Sequence, residues 1–453
     1  MRCTVRTAPP SWVAAHAGQI VTSGERLRGW RHEQVGRTGR IHPAHPFFAG
    51  LRYSPGTGCP YDVLRGRGSV ARATIDVDPS LVRWAREAAG LTQQAAAKKV
   101  GVRPAKFVQW ETLGAAGRPT PRQLEKLADA VKRPVAMFFL PAPPIEPPLP
   151  ADFRRPPSEE GIEPLSPATR LAIRRARRLQ QIYVELAGIT ERTVAKTRIT
   201  RSTPPEVAAQ EARSLLGVTP ADQAQWHDAA TALREWRQQF ERLGYLIFQF
   251  AMPPAEISGF SLADTASAIV LNKKDAPSRR CFTLFHEWAH LLLGEPGLCF
   301  VDEGRAAGTA DAVEVFCNAF AGALLVPMDA LRALNALRAP RFSLDQAVEE
   351  GVQQFAVSRV VILRRLHTAG AIDQQTYQKT VALWERQYQP RPKKKAKGGA
   401  PPYRKAVAEL GRGFVSHVLR AHDRGQISDI DLSDYLSLRL RHIGKVEALL
   451  SGA

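Results

Sequence analysis

With 453 residues, 44% hydrophobic and 23% charged, the chain is long enough for two or three globular domains and too apolar for a disordered or fibrous one. No run approaches the ~20 apolar residues of a membrane span, and the N-terminus lacks the basic, apolar, small-residue order of a secretory signal. The formal charge of +20 points to a polyanionic partner such as nucleic acid. Five cysteines (Cys3, Cys59, Cys281, Cys299, Cys317) are odd in number and scattered, which suits reduced thiols in a cytoplasm.

Residues 1–70 are rich in Pro, Gly, Arg and His, with turn signals such as Ser54-Pro55-Gly56-Thr57-Gly58 and weak apolar periodicity. They read as a basic, disordered extension, and the segment from Val70 reads like a fresh protein start. Short helices begin at Asp78-Pro79, an N-cap followed by a first-turn proline, with Leu81, Trp84, Ala85 and Ala88 at helical spacing. Gly90 stops that helix, Thr92 caps a second over Gln93 to Val100, and Gly101-Val102 turns into a third from Arg103 to Glu111. A fourth starts at Thr120-Pro121 and buries Leu124, Leu127 and Val131. Two short helices joined by a tight glycine turn form a helix-turn-helix.

Gly90-Leu91-Thr92-Gln93-Gln94-x-Ala96, then Gly101-Val102 and Trp110-Glu111, resembles the XRE (Cro/repressor-like) DNA-binding domain. The resemblance implies double-stranded DNA as partner, a homodimer on its operator, Gln93 on a phosphate, and Arg103, Lys106 and Gln109 towards base edges. This chain departs from that pattern in opening its third helix with Arg103 and in lengthening the next loop with Leu113-Gly114-Ala115-Ala116-Gly117.

Pro141-Ala142-Pro143-Pro144-Ile145-Glu146-Pro147-Pro148 is an extended spacer. After it, Ser166 to about Ala187 forms a helix with a basic face (Arg170, Arg174, Arg175, Arg177, Arg178), open to DNA, an acidic partner or plain solvent. Helical stretches follow over Pro204 to Leu216 and Ala221 to Leu243. The period then changes to that of strands at Tyr245–Phe250, Glu256–Ser261 and Ser267–Asn272, a small sheet whose edge would hold an extended peptide.

Phe285-His286-Glu287-Trp288-Ala289-His290-Leu291-Leu292-Leu293 places a His-Glu-x-x-His pentad on an apolar helix. His286 and His290, at i and i+4, share a face and offer two imidazoles to one metal, while Glu287, about 100° round the helix, is set to act as general base. A helix apolar all round is buried, and burying these three polar groups is costly without a metal. A catalytic zinc site needs a third protein ligand. Pro296, Gly297 and Gly304 put Glu295, Asp302 and Glu303 in loops, whereas Glu314 lies in a helix with Val313, Phe316, Phe320 and Leu324. Glu314 is the preferred third ligand, with Cys317 and Asp311 as alternatives.

Phe282-Thr283-Leu284-Phe285-His286-Glu287-x-Ala289-His290-Leu291-Leu292-Leu293-Gly294, followed by Glu314-x-x-x-Asn318-x-Phe320-Ala321-x-x-Leu324-Leu325-x-Pro327, resembles the ImmA/IrrE metallo-endopeptidase family. The family commonly occurs fused to an XRE domain. The resemblance, covering roughly residues 70 to 385, implies a Zn2+ cofactor held by His286, His290 and Glu314, with Glu287 as catalytic base. It also implies a repressor protein as substrate, cleaved in a stress or mobile-element response. Phe316 stands where some members have a second Glu, and Trp288 where a smaller residue is common, which would narrow the cleft. Beyond the site, Phe355-Ala356-Val357-Ser358-Arg359 opens a small helical support unit, Gln389 to Gly399 is a basic linker, and Tyr403 to His422 and Asp431 to Leu450 are helices without a readable role.

The expected fold is multidomain and mainly α with a small β-sheet. It divides into an extension (1–70), an all-α helix-turn-helix domain (71–140), a Pro-rich linker (141–165), an α+β zincin-like peptidase domain (166–385), a basic linker (386–402) and a C-terminal helical segment (403–453). The rival to a DNA-tethered zinc endopeptidase is a DNA-binding regulator, antitoxin-like, whose metal site is structural or sensory. The intact Glu287 favours the enzyme, because a structural site has no need of a general base.

Overall fold

Capping chemistry sets the first helices. The structure, a computed structural model, describes residues 74–112, 117–146, 151–152, 165–188, 199–263, 266–294, 297–299, 311–387 and 399–452. The expected extension 1–70, most of the lengthened loop after Thr112, and the basic stretch 389–398 lie outside the described residues, as do Glu295, Asp302 and Glu303. Asp78 accepts from the Ser80 amide (2.7 Å) to start α1 (Pro79–Ala88). Thr92 caps α2 (Gln93–Val100), and Gly101, at φ 81°, takes the left-handed conformation that turns the chain towards α3 (Pro104–Trp110). A reciprocal capping box between Thr120 and Gln123 starts α4 (Pro121–Val131). Ala96 and Ala97 admit close helix contact, and Phe107, Trp110, Leu124, Leu127 and Phe138 fill one core. Within that bundle Glu111 is buried, yet its carboxylate is satisfied by Arg86 Nε and Nη2 (2.5 and 3.0 Å) and by Gln93 Nε2 (2.7 Å).

After the proline-rich stretch comes β1 (Ala151–Asp152), then α5 (Pro167–Ala187), capped by Ser166. Two arginines of its basic face reach the helix-turn-helix bundle, while Arg178 stays exposed. Arg170 donates from Nη1 to the Glu87 carbonyl (3.3 Å), and Arg174 from Nη2 to the carbonyls of Val131 (2.8 Å) and Lys132 (2.9 Å). These carbonyls end α1 and α4, where a helix dipole favours cations. The helix-turn-helix bundle is thereby pinned to α5.

Three helices follow, α6 (Pro205–Leu216), α7 (Pro220–Ala224) and α8 (Ala229–Arg242), leading into β2 (Leu246–Phe250), β3 (Gly259–Leu262) and β4 (Ala268–Asn272). Next come α9 (Pro277–Leu293), β5 (Gly297–Cys299) and α10 (Asp311–Leu325). Short helices α11 (Met328–Arg332) and α12 (Asn335–Arg338) precede α13 (Leu344–Phe355), α14 (Arg359–Thr368) and α15 (Gln374–Gln387). The chain finishes with α16 (Pro402–Leu410), α17 (Arg412–Asp423), α18 (Asp429–Leu436) and α19 (Ile443–Ser451). No described helix is long and apolar enough to cross a membrane.

The five strands form one mixed sheet in the order β1-β5-β3-β4-β2. β2 runs parallel to β4, β4 antiparallel to β3, β3 antiparallel to β5, and β5 parallel to β1. Strand periodicity divides the side chains between two cores. Ile247, Ile269 and Leu271 pack with α6, α8, α9 and α10, while Leu246, Phe248, Phe250, Phe260 and Val270 pack with α5 and the C-terminal helices. Residues 403–450 thus cover the second face of the sheet, with Phe414 edge-on to Phe248 at 5.7 Å. β3, the strand against the pentad helix, is paired over its first half by β5, at Gly259↔Cys299 and Phe260↔Leu298.

Candidate functional site

Pro277 occupies the first turn of α9, and Gly294, at φ 76°, ends it in the left-handed conformation, its N–H donating to the carbonyls of His290 and Leu291. Between them the helix is buried almost all round, from Thr283 through Leu292. Trp288 is one anchor. Its ring lies edge-on to Phe240 (4.9 Å), Tyr245 (6.1 Å) and Phe320 (6.1 Å), in the helical core. Its bulk fills that core, so the expected narrowing of the cleft does not arise from this side chain.

α10 lies against α9 and brings the third donor. Its last carbonyls are held from outside the helix: Arg213 Nη1 donates to Leu324 O, Gln223 Nε2 to Leu325 O (3.0 Å) and Arg365 Nε to Val326 O (3.0 Å). Arg213 also donates to Gln223 Oε1 (2.8 Å), and burial, opposed by the charge of Asp222, pushes its pKa down to about 10. Arg365 completes the arrangement by pairing through both terminal nitrogens with Glu206. These three side chains do for α10 what water does at an exposed helix end.

His286 Nε2 and His290 Nε2 lie 3.1 Å apart, and each is 3.1 Å from a different oxygen of Glu314. All three residues are 5% exposed or less. Bonds of ~2.0–2.1 Å at tetrahedral angles would put such donors roughly 3.3 Å apart, so two imidazoles and a carboxylate in this spacing fit a zinc-type ion. Among the described residues, the group able to hold a metal is His286, His290 and Glu314. Cys317 is buried in the neighbouring apolar core, outside that group, and the side chain of Asp311 lies outside the described residues.

Two residues around the trio had no role assigned from sequence. Asn318, one turn beyond Glu314, accepts from His286 Nδ1 at 3.0 Å, the tautomer that leaves Nε2 free as a ligand. Gly259 on β3 faces the pentad helix so closely that a Cβ there would lie 2.5 Å from Thr283 Cγ2, 2.8 Å from Val270 O and 3.7 Å from Glu287 Cγ. The asparagine's spacing from Glu314 was a readable signal; the glycine had none, because its partner is distant in sequence. Glu287 itself is fully buried on α9 beside His286.

On the helix-turn-helix, Arg103 stands at the N-cap position of α3, and Arg103, Lys106 and Gln109 are all exposed while Phe107 and Trp110 face inward. Gln93 is placed differently from these three. It is half-buried, and its amide nitrogen donates to Glu111, so its first task is inside the bundle.

Two family models match. Residues 240–367 match the IrrE N-terminal-like domain of a peptidase family, and residues 80–138 match a helix-turn-helix domain. No curated protein matches the chain. The first match spans β2 to α14 and includes every donor of the trio; the second spans α1 to α4. The chain therefore carries a region that matches a helix-turn-helix domain, followed by one that matches an ImmA/IrrE-type peptidase domain.

Proposed function

We infer that the protein is a zinc-dependent endopeptidase whose DNA-binding domain brings it to a repressor protein that it cleaves. The observation that carries this reading is the convergence of His286, His290 and Glu314 at 3.1 Å spacing, with a buried Glu287 beside them, inside a region matching a peptidase family. The three donors would hold the ion. A zinc ion bound there would act as a Lewis acid on the scissile carbonyl and acidify water. The Glu287 carboxylate takes the proton of the attacking water and passes it to the departing amine nitrogen as the C–N bond breaks. Asn318 keeps the His286 ring in the ligating orientation.

Arg103, Lys106 and Gln109, exposed along α3, are the groups set to meet DNA, and a dimer on its operator is the arrangement expected of such a domain. Tethering raises the local protease concentration at a repressor bound nearby without any new contact between the two proteins. This argues for regulated proteolysis in a stress or mobile-element response, in the cytoplasm, where the operator lies. The test is cleavage of XRE-type repressors from the same genome by wild type and by Glu287→Gln. Loss of cleavage in the variant supports the enzyme; equal cleavage by both contradicts it. Zinc binding without cleavage by either protein would favour a regulator with a structural or sensory metal.

A further inference from the structure

Four arginines on α5 (Arg170, Arg174, Arg177 and Arg178) fall at i, i+4, i+7 and i+8 and so share one face. Together with Ala88 at the end of α1 and Glu146 beyond α4, they line a cleft of about 250 Å3 between the helix-turn-helix bundle and α5. Among the described residues that line it, four carry guanidinium groups and one a carboxylate. That carboxylate is already taken, because Glu146 accepts from Arg133. Arg178 pairs with Asp434. Arg170 and Arg174 have only backbone carbonyls as hydrogen-bond partners, with no carboxylate at ion-pair distance among the described residues. Burial first, and then the neighbouring charge of Arg133, hold the Arg174 guanidinium below its ordinary pKa, against a raising contribution from Glu146.

We propose that this cleft is a binding site for a small phosphoryl anion of the di- or polyphosphate class, gripped between the DNA-binding domain and α5. Guanidinium groups match phosphate oxygens in pairs, and several planar forks in one cleft suit a ligand with more than one phosphoryl group. The volume falls just below that of pockets for drug-sized molecules, ~300–1,000 Å3. It suits pyrophosphate or the polyphosphate end of a nucleotide. The duplex is the less apt source of phosphate here, because the exposed residues of α3 do not line this cleft. Glu146 lines the same cleft and its charge acts on Arg174, so it competes with an incoming anion. Since the walls belong to both the helix-turn-helix bundle and α5, occupancy tightens the junction between them.

The experiment is calorimetric titration of the full chain with pyrophosphate at constant ionic strength, with sulfate as control. Wild type should bind pyrophosphate saturably and sulfate at least tenfold more weakly. Arg174→Gln should weaken pyrophosphate binding by tenfold or more. Glu146→Gln should tighten it severalfold, a gain that misfolding does not imitate. Unchanged affinity in both variants would overturn the proposal. So would a loss in the double variant Arg103→Ala, Lys106→Ala equal to that in Arg174→Gln, because the anion would then sit on the DNA-reading face.

Discussion

His286 Nδ1 lies 3.0 Å from Asn318 Oδ1, across the seam between the pentad helix and the helix that carries Glu314. One hydrogen bond therefore fixes the tautomer of the first imidazole and ties together the two helices that supply the trio. Asn318→Ala removes that acceptor while leaving all three donors in place. Partners of this kind are worth ~10–100-fold in metal affinity. A chelator competition should show a loss in that range, with the unfolding midpoint little changed; affinity equal to wild type would deny Asn318 this role.

Gly259 is the residue on which the approach of β3 to α9 depends. Its substitution by Ala would place a methyl 2.5 Å from Thr283 Cγ2 and 2.8 Å from the Val270 carbonyl. A backbone carbonyl does not move as a side-chain tip does, so the helix or the strand must shift. Overpacking of this sort costs about 1–3 kcal/mol. Urea unfolding should show the loss, and proteolytic activity should fall further than stability does, because Glu287 Cγ lies next to the same point.

His417 gives the far side of the sheet a pH response. Burial, and then the charge of Arg420, lowers its pKa below the ordinary 6.5, against a raising contribution from a hydrogen bond to the Leu186 backbone. The unfolded chain then binds the proton more readily than the folded one, so stability is full above pH 6.5 and is lost as pH falls through the depressed value. His417→Phe keeps a ring against Tyr183, which now lies 4.7 Å away, and removes the titration. Its melting temperature should be flatter than that of wild type from pH 6.5 downwards; parallel curves would count against the assignment.

For DNA, Lys106, exposed on α3, is proposed as a phosphate or base contact. Lys106→Ala should weaken binding and lower the slope of log affinity against log salt by about one if it neutralises a phosphate. An unchanged slope together with altered base preference would move it to the groove edge.

The helix-turn-helix was legible because its signals are local: Asp78, Thr92 and Thr120 cap their own helices, and Gly101 turns the chain within one step. The pentad was legible for the same reason, since i and i+4 are fixed by helix geometry. What escaped was decided by pairing between distant segments. Phe414 against Phe248 makes the C-terminal helices part of the sheet's packing, and β5 pairs with the first half of β3. Arg170 and Arg174 looked like a bare basic face until the helix ends they cap were in view. Trp288 was read as a cleft residue because its position along the helix did not reveal Phe240, Tyr245 and Phe320 behind it.

In the proposed site, His286, His290 and Glu314 form one metal centre, with Glu287 beside it as a base and not as a ligand. Zinc content per chain, measured on wild type, Glu287→Gln and Glu314→Ala purified alike, tests it most directly. About one zinc is expected in wild type and in Glu287→Gln, and far less in Glu314→Ala, because a site of this type needs three protein ligands. Full retention of zinc by Glu314→Ala, or an equal loss from Glu287→Gln, would contradict it.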